Sequence, residues 1–158
     1  MRIKRYLVQL FALGLVVCSP AEAAVVVKGV AISCEMGAKS PVTVDVYILD
    51  SAQLPRLVTL IKMIENSDPR NDKQSIQLTP RLDEMIRIVK RAKPLAHTKS
   101  SRNGSFASEI PSVGSVIVFG YAETEDHPYF YEYKQVAISG RSSIDVVLDF
   151  GHYCAPGR

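Results

Sequence analysis

The spacing of apolar positions changes character twice along the chain. In PVTVDVYIL, Val42, Val44, Val46 and Ile48 alternate with Thr43, Asp45, Tyr47 and Leu49, the period of a strand with one face destined for a core. The β-branched run AVVVKGVAIS, from Ala24 to Ser33, predicts an earlier strand in which Gly29 is a candidate bulge. Between them, CEMGAKSP carries the Gly and Pro of a turn.

Beyond Leu54 the period lengthens. Leu57, Leu60, Ile61 and Ile64 stand three and four apart, and so do Leu82, Met85, Ile86 and Val89, which predicts two amphipathic helices. Thr79 and Pro80 fit the cap and first turn of the second helix, with acidic residues early and basic residues late. The helices also share letters: Pro55-Arg56-Leu57 matches Pro80-Arg81-Leu82, and Ile61 matches Ile86, as in a small duplication or a convergence on one docking geometry. Two copies are too few for a solenoid. The polar NSDPRNDKQS between them is long enough to fold the pair into a hairpin, an insertion spanning residues 54–93.

Strand signals resume after Pro94. Asn103-Gly104 predicts a type I′ turn that folds Leu95–Lys99 back onto Phe106–Ile110, because both central positions of that turn need positive φ. Pro111 ends the strand, SVG turns the chain, and SVIVFGYA reads as a buried strand. After the charged loop ETEDHP come YFYEYKQVAI, with Tyr129, Tyr131 and Tyr133 on one face, and SSIDVVLDF, with Ile144, Val146 and Leu148 on one face. About seven short strands separated by turn signals predict a mainly β protein, a seven-stranded Greek-key β-sandwich interrupted after its second strand by the helical hairpin.

Residues 1–23 stand apart from this pattern. Arg2, Lys4 and Arg5, the apolar run Leu7–Val17 and the small-residue pattern Ala21-Glu22-Ala23 read as an export signal cleaved after Ala23, with Cys18 discarded. The apolar run is shorter than the roughly 18 to 20 residues a spanning helix needs, and no second run could span a bilayer. Cleavage leaves about 135 residues, one domain over 24–154 with a short tail at 155–158, large enough for a core without metal support. It also lowers the formal charge from +3 to about +1, so no basic surface points to nucleic acid. The expected location is outside the cytoplasm, periplasmic or secreted. Two cysteines, Cys34 and Cys154, then remain in an oxidising compartment, and the even count suggests a bridge, with two separate buried thiols as the alternative. A bridge closing so long a loop would stabilise the fold by about 4 to 5 kcal/mol on the chain-entropy account.

The stretch AHTKSSRNGSFASEIPSVGSVIVFGYA, followed by YFYEYKQVAIS and IDVVLDF, resembles the carboxypeptidase regulatory-like, or prealbumin-like, β-sandwich domains. The likeness is carried by Thr98, Gly104 and Phe106, Ile110 and Pro111, Gly114, and Val116 with Val118. Ser101 and Asn103 stand where members commonly have acidic residues, and Val116 where they commonly have Tyr. The resemblance implies a sandwich and an accessory role on secreted proteins, binding or structural, with no implied chemistry. A prealbumin-like relative hydrolyses a purine-derived ring and ends in Tyr-Arg-Gly-Ser; this chain ends HYCAPGR, so none of that machinery transfers.

The residues themselves assemble no catalytic set. His97, His127 and His152 lie at no tight ligand spacing, a zinc site would need three loops to converge, and they read as solvated loop histidines. No G-x-S-x-G nucleophile motif occurs. No catalytic residue, cofactor or metal is therefore expected. The first expectation for function is a non-catalytic exported module with a structural or protein-binding role. The alternative is binding of carbohydrate or cell-envelope glycan through Tyr129, Tyr131 and Tyr133, whose rings would stack on sugars if open but pack as core if the hairpin covers them. A small-molecule hydrolase is the third reading.

Overall fold

Two four-stranded sheets face one another in the computed structural model, which describes residues 24–35, 38–67, 72–122 and 130–151. The chain runs β1 (Ala24–Glu35), β2 (Ala38–Pro41), β3 (Asp45–Asp50), a 3-10 turn (Ser51–Gln53), α1 (Pro55–Glu65) and α2 (Asp72–Arg91). It continues through β4 (Ala96–Lys99), β5 (Ser105–Pro111), β6 (Ser115–Ala122), β7 (Phe130–Ala137) and β8 (Ser143–Asp149). In the first sheet β1 is flanked on one side by β5 and β2, both antiparallel, and is also paired with β8 in parallel. The second sheet has the order β4-β3-β6-β7, all antiparallel. A β-sandwich with a helical insertion is thus the architecture, as the periodicity implied.

The molecule has three layers and two cores. Between the sheets lie Val25 and Val27 of β1, Val46 and Ile48 of β3, Phe106 and Ile110 of β5, Val116 and Val118 of β6, and Ile144, Val146 and Leu148 of β8. The alternation of PVTVDVYIL therefore points its valine face into this core. On the opposite face of the second sheet, Leu49, Ile117 and Phe119 meet Leu57, Leu60 and Ile61 of α1 and Met85, Ile86 and Val89 of α2. Each such fully buried side chain contributes about 1.5 to 3 kcal/mol relative to exposure. Arg56 joins the two helices through Glu84, with hydrogen bonds of 2.9 and 3.1 Å from its Nε and Nη2. That hydrogen bond from Arg56 holds the Glu84 carboxyl below its ordinary range.

Three details depart from the sequence reading. The first is an eighth strand: Ala38–Pro41, expected as turn, pairs with Ile32–Glu35, and Val42 N–H extends the contact to Ala31 C=O at 3.1 Å. β1 is long enough to be shared along one side by two partners, so the short segment finds an open ladder.

The second concerns Asn103-Gly104. Ser101 C=O accepts from Gly104 N–H and Ser101 N–H donates to Ser105 C=O, both at 2.8 Å, which closes a three-residue loop with Gly104 at φ 77°. That is a turn followed by a left-handed glycine rather than the two-residue turn expected. It makes no hairpin ladder either, since β4 belongs to the second sheet and β5 to the first. Gly104 is pressed against β1: its C=O accepts from Ala31 N–H at 2.8 Å, and a Cβ there would lie 2.3 Å from Ala31 O. The glycine lets the chain turn the corner of the sandwich. Buried Ser100 completes the corner by accepting from Val44 N–H at 2.8 Å and donating to Val42 C=O at 3.0 Å.

The third is Pro80, expected at the first turn of a helix but found inside α2, which begins at Asp72. Lys73, Gln74 and Gln77 are good helix formers, and a proline removes one backbone hydrogen bond without abolishing the helix around it. Pro55, by contrast, does open α1. The export signal, the 155–158 tail, Cys154, Tyr129, His127 and His152 lie outside the described residues, as does the side chain of Cys34, so the proposed bridge does too.

Candidate functional site

The helix-side face of the second sheet is an aromatic grid, and strand register builds it. Asp45 is opposite Lys99 on one side and Tyr121 on the other, and Tyr121 is opposite Tyr131, giving one cross-strand row. Two residues along, His97, Tyr47, Phe119 and Tyr133 form the next, and Leu49 with Ile117 begin a third. Leu49, Ile117 and Phe119 are completely buried beneath the hairpin. Toward the first row the last turn of α2 sets Lys90 beside Tyr121.

At that end the surface opens into a cleft of about 380 Å³, lined by Thr43, Val44, Asp45, Tyr47, Lys90, Lys99, Tyr121 and Ala122. This volume is within the usual range of ligand pockets, about 300 to 1,000 Å³. Lys90 Nζ stands 4.7 Å from the centre of the Tyr121 ring and 3.4 Å from its hydroxyl oxygen, a cation–π placement that keeps the ammonium at the cleft. His97 stacks on Tyr47, with ring centres 4.3 Å apart and planes 9° apart. Its Nε2 lies 3.2 Å from Asp45 Oδ1. Burial first, and then the neighbouring Asp45 charge, push the Tyr47 phenol up, against an opposing pull from Lys90, so Tyr47 remains a neutral hydrogen-bonding group at neutral pH. Lys99 makes no ion pair among the described residues.

Tyr131 and Tyr133, singled out from the sequence, do share one face, but that face is the one the hairpin covers. Both are half-buried against the helical core, and Tyr131 stacks on Phe119 with ring centres 6.2 Å apart. Tyr133 donates to Glu65 Oε1 of α1 at 3.3 Å. With Ile64, Glu65, Glu132 and Lys134 they line a second cavity of about 320 Å³ at the β7 edge. Its polar groups answer one another: Tyr133 is bonded to Glu65, and Lys134 is 3.5 Å from Glu132.

The sequence reading missed this first cleft. His97, which the sequence suggests is a loop histidine, lies in β4 with an aromatic stack and an acidic partner. Asp45, Tyr47, Lys90, Lys99 and Tyr121 were not singled out at all. The available signal was parity: Asp45, Tyr47 and Leu49 share one face of β3, as Ile117, Phe119 and Tyr121 share one face of β6. Chemically the set can hold a ligand by hydrogen bonds, charge and ring faces. The hydrogen-bond partner of His97 among the described residues is Asp45. No group of three or more His, Cys, Asp or Glu able to hold a metal occurs among the described residues. No helix among them is long and apolar enough to cross a membrane.

No protein-family model matches the chain, and no curated protein matches it significantly. Among solved structures, a candidate carbohydrate-binding protein of Pseudomonas aeruginosa is similar over 81% of this chain and 89% of its own, at 14% identity and a TM-score of 0.47. The major pilin subunit of Bacillus cereus is similar over 80% of this chain, at 10% identity and a TM-score of 0.41. The pilus backbone protein of Streptococcus pneumoniae is similar over 80%, at 9% identity and a TM-score of 0.32. The chain spans only 29% and 41% of those two pilus proteins. Likeness this distant leaves function to the residues of the cleft.

Proposed function

We propose that the protein is an exported, non-catalytic β-sandwich module that binds a cell-envelope saccharide in the cleft between β3, β4, β6 and the end of α2. The observation that carries this reading is the convergence of two tyrosines, Tyr47 and Tyr121, with Asp45, Thr43 and two lysines around one cavity of about 380 Å³. Saccharides present hydroxyls on their edges and C–H groups on their faces, and tyrosine offers an apolar ring with a polar tip to both. A purely apolar ligand would take the Asp45 carboxylate and the Lys99 ammonium out of water without offering either a hydrogen bond, which is costly. The resemblance to accessory domains of secreted proteins supports a binding role rather than a chemical one. The saccharide is thereby centred on Tyr47 and Tyr121 rather than on the stripe expected at Tyr129, Tyr131 and Tyr133, of which Tyr129 lies outside the described residues.

Glycan-array binding followed by calorimetry tests this reading. Tyr47→Ala removes a ring from the cleft wall that also packs on the edge of the helix-side core, so thermal melting of the variant accompanies the measurement, and the expected loss is about tenfold in affinity, the equivalent of roughly 1.4 kcal/mol. A folded Tyr47→Ala variant that binds its glycan as tightly as the parent would rule out the cleft.

A further inference from the structure

We infer that Asn103 is a deamidation site gated by the fold: the corner at Gly104 holds its side-chain amide out of reaction, and opening of the chain releases it to become aspartate or isoaspartate. Asparagine before glycine is prone to this chemistry, because glycine has no side chain to shield its backbone nitrogen. The Gly104 nitrogen attacks Asn103 Cγ and gives up its proton, a new C–N bond closes a succinimide ring, and the side-chain nitrogen leaves as ammonia. Water then opens the ring at either carbonyl. Attack at Cγ gives aspartate on an unchanged backbone. Attack at the main-chain carbonyl gives isoaspartate, whose backbone runs through Cβ and is longer by a methylene. In both cases one water is consumed and one ammonia released.

The folded corner opposes the ring-closing step at each atom it needs. Gly104 N–H donates to Ser101 C=O at 2.8 Å, and a succinimide nitrogen carries no hydrogen, so closure must break this bond. Asn103 Oδ1 accepts from Ser105 N–H at 3.1 Å and from Ser105 Oγ at 2.7 Å, with Ser101 Oγ bonded to it as well. Those bonds make an Asx turn and fix Cγ relative to the Gly104 nitrogen. On its other side Gly104 C=O accepts from Ala31 N–H at 2.8 Å, and an added Cβ would lie 2.3 Å from Ala31 O. The reacting peptide is thus clamped from β1 and cannot turn toward the ring geometry without undocking. Asn103 is exposed, so water reaches it and the protection comes from held geometry. The two products also differ in fit. Aspartate keeps an acceptor oxygen for Ser105. Isoaspartate lengthens a loop whose span is set by Ser101 N–H on Ser105 C=O and by Gly104 on Ala31, and it cannot keep both contacts.

The test incubates the purified protein at mildly alkaline pH in buffer and in urea. Peptide mapping by mass spectrometry counts deamidation at Asn103, and labelling with an isoaspartyl methyltransferase counts isoaspartate. The folded protein should react at least about tenfold more slowly than the unfolded chain, because reaction waits on opening of the corner. When urea is removed, isoaspartate should collect in the fraction that fails to regain the native circular dichroism. Asn103→Asp, which installs the other product directly, should keep the parent's urea midpoint. Ser105→Ala removes one bond to Asn103 Oδ1 at an exposed position, and should raise the folded-state rate severalfold while thermal melting shows the variant folded. Equal rates in buffer and urea, or no deamidation in urea, would overturn the inference. So would an unchanged rate in folded Ser105→Ala, an even spread of isoaspartate between refolded and unfolded fractions, or a clearly lowered midpoint for Asn103→Asp.

Discussion

β6 and β8 are both rich in β-branched residues, yet one is buried at six consecutive positions and the other at every second one. β6 lies in the middle of the second sheet, with the sandwich core on one face and the helical hairpin on the other. β8 belongs to the first sheet, whose outer face has no such cover among the described residues; there Val26, Val30 and Val147 are exposed at 39%, 37% and 49%. The same face carries Lys28 and Asp145, 3.6 Å apart between neighbouring strands, and Lys39 bonded to Asp149 at 2.7 Å. Charges interrupt the valines, which keeps the apolar surface from forming one continuous patch. The pattern of a strand thus records how many layers it touches: unbroken for two covers, alternating for one.

The sharpest way to break this contrast is to hollow out the helix-side core. Phe119 is completely buried, between Tyr47 and Tyr133 in its row and beneath the hairpin. Phe119→Ala should cost about 3 to 5 kcal/mol, read as a lower denaturation midpoint in urea. A cost below about 1 kcal/mol would mean that the hairpin does not pack on the sheet and that β6 is not covered twice.

That double cover also marks what could be read from the sequence. Helical spacing identified the buried stripes correctly, since Leu57, Leu60 and Ile61, with Met85, Ile86 and Val89, are the residues that reach the sheet. The alternation of β3 and β8 was equally plain, because a strand's parity is local. What parity cannot give is register between distant strands. Asp45 and Tyr121 are far apart in sequence, and Lys99 reaches the same row only after a helical excursion, so the cleft exists only once β3, β4 and β6 are aligned. The corner at Gly104 was hidden for a similar reason: Asn-Gly reports a tight turn, while the choice between a hairpin and a crossing is made by the docking of Gly104 on Ala31.

A smaller effect comes from titrating the covered face. Burial under the hairpin, and then the charge and hydrogen-bond acceptance of Glu65, push the Tyr133 phenol far above its ordinary value. The unfolded chain loses this proton near pH 10 while the folded chain keeps it. Stability from Tyr133 is therefore fully present below about pH 10 and is lost as pH rises further toward the folded value. Absorbance titration should show one tyrosine ionising only with unfolding, and Tyr133→Phe should flatten the alkaline decline in stability. Ionisation of Tyr133 at an ordinary pH in folded protein would show that the hairpin leaves it open.

The smallest expected effect belongs to the uncovered face, and it is informative because of its size. Val147→Thr replaces one β-branched side chain by another of nearly equal shape at a position 49% exposed, where the new hydroxyl reaches water. The change should stay within about 0.5 kcal/mol. The same exchange at Val118, completely buried between the sheets, puts a hydroxyl into an apolar site and should cost about 1 to 3 kcal/mol. Equilibrium unfolding of the two variants compares identical chemistry on two sides of one sandwich. If Val147→Thr costs as much as Val118→Thr, the outer face of the first sheet is covered in solution, and the distinction between an alternating and an unbroken strand no longer counts layers.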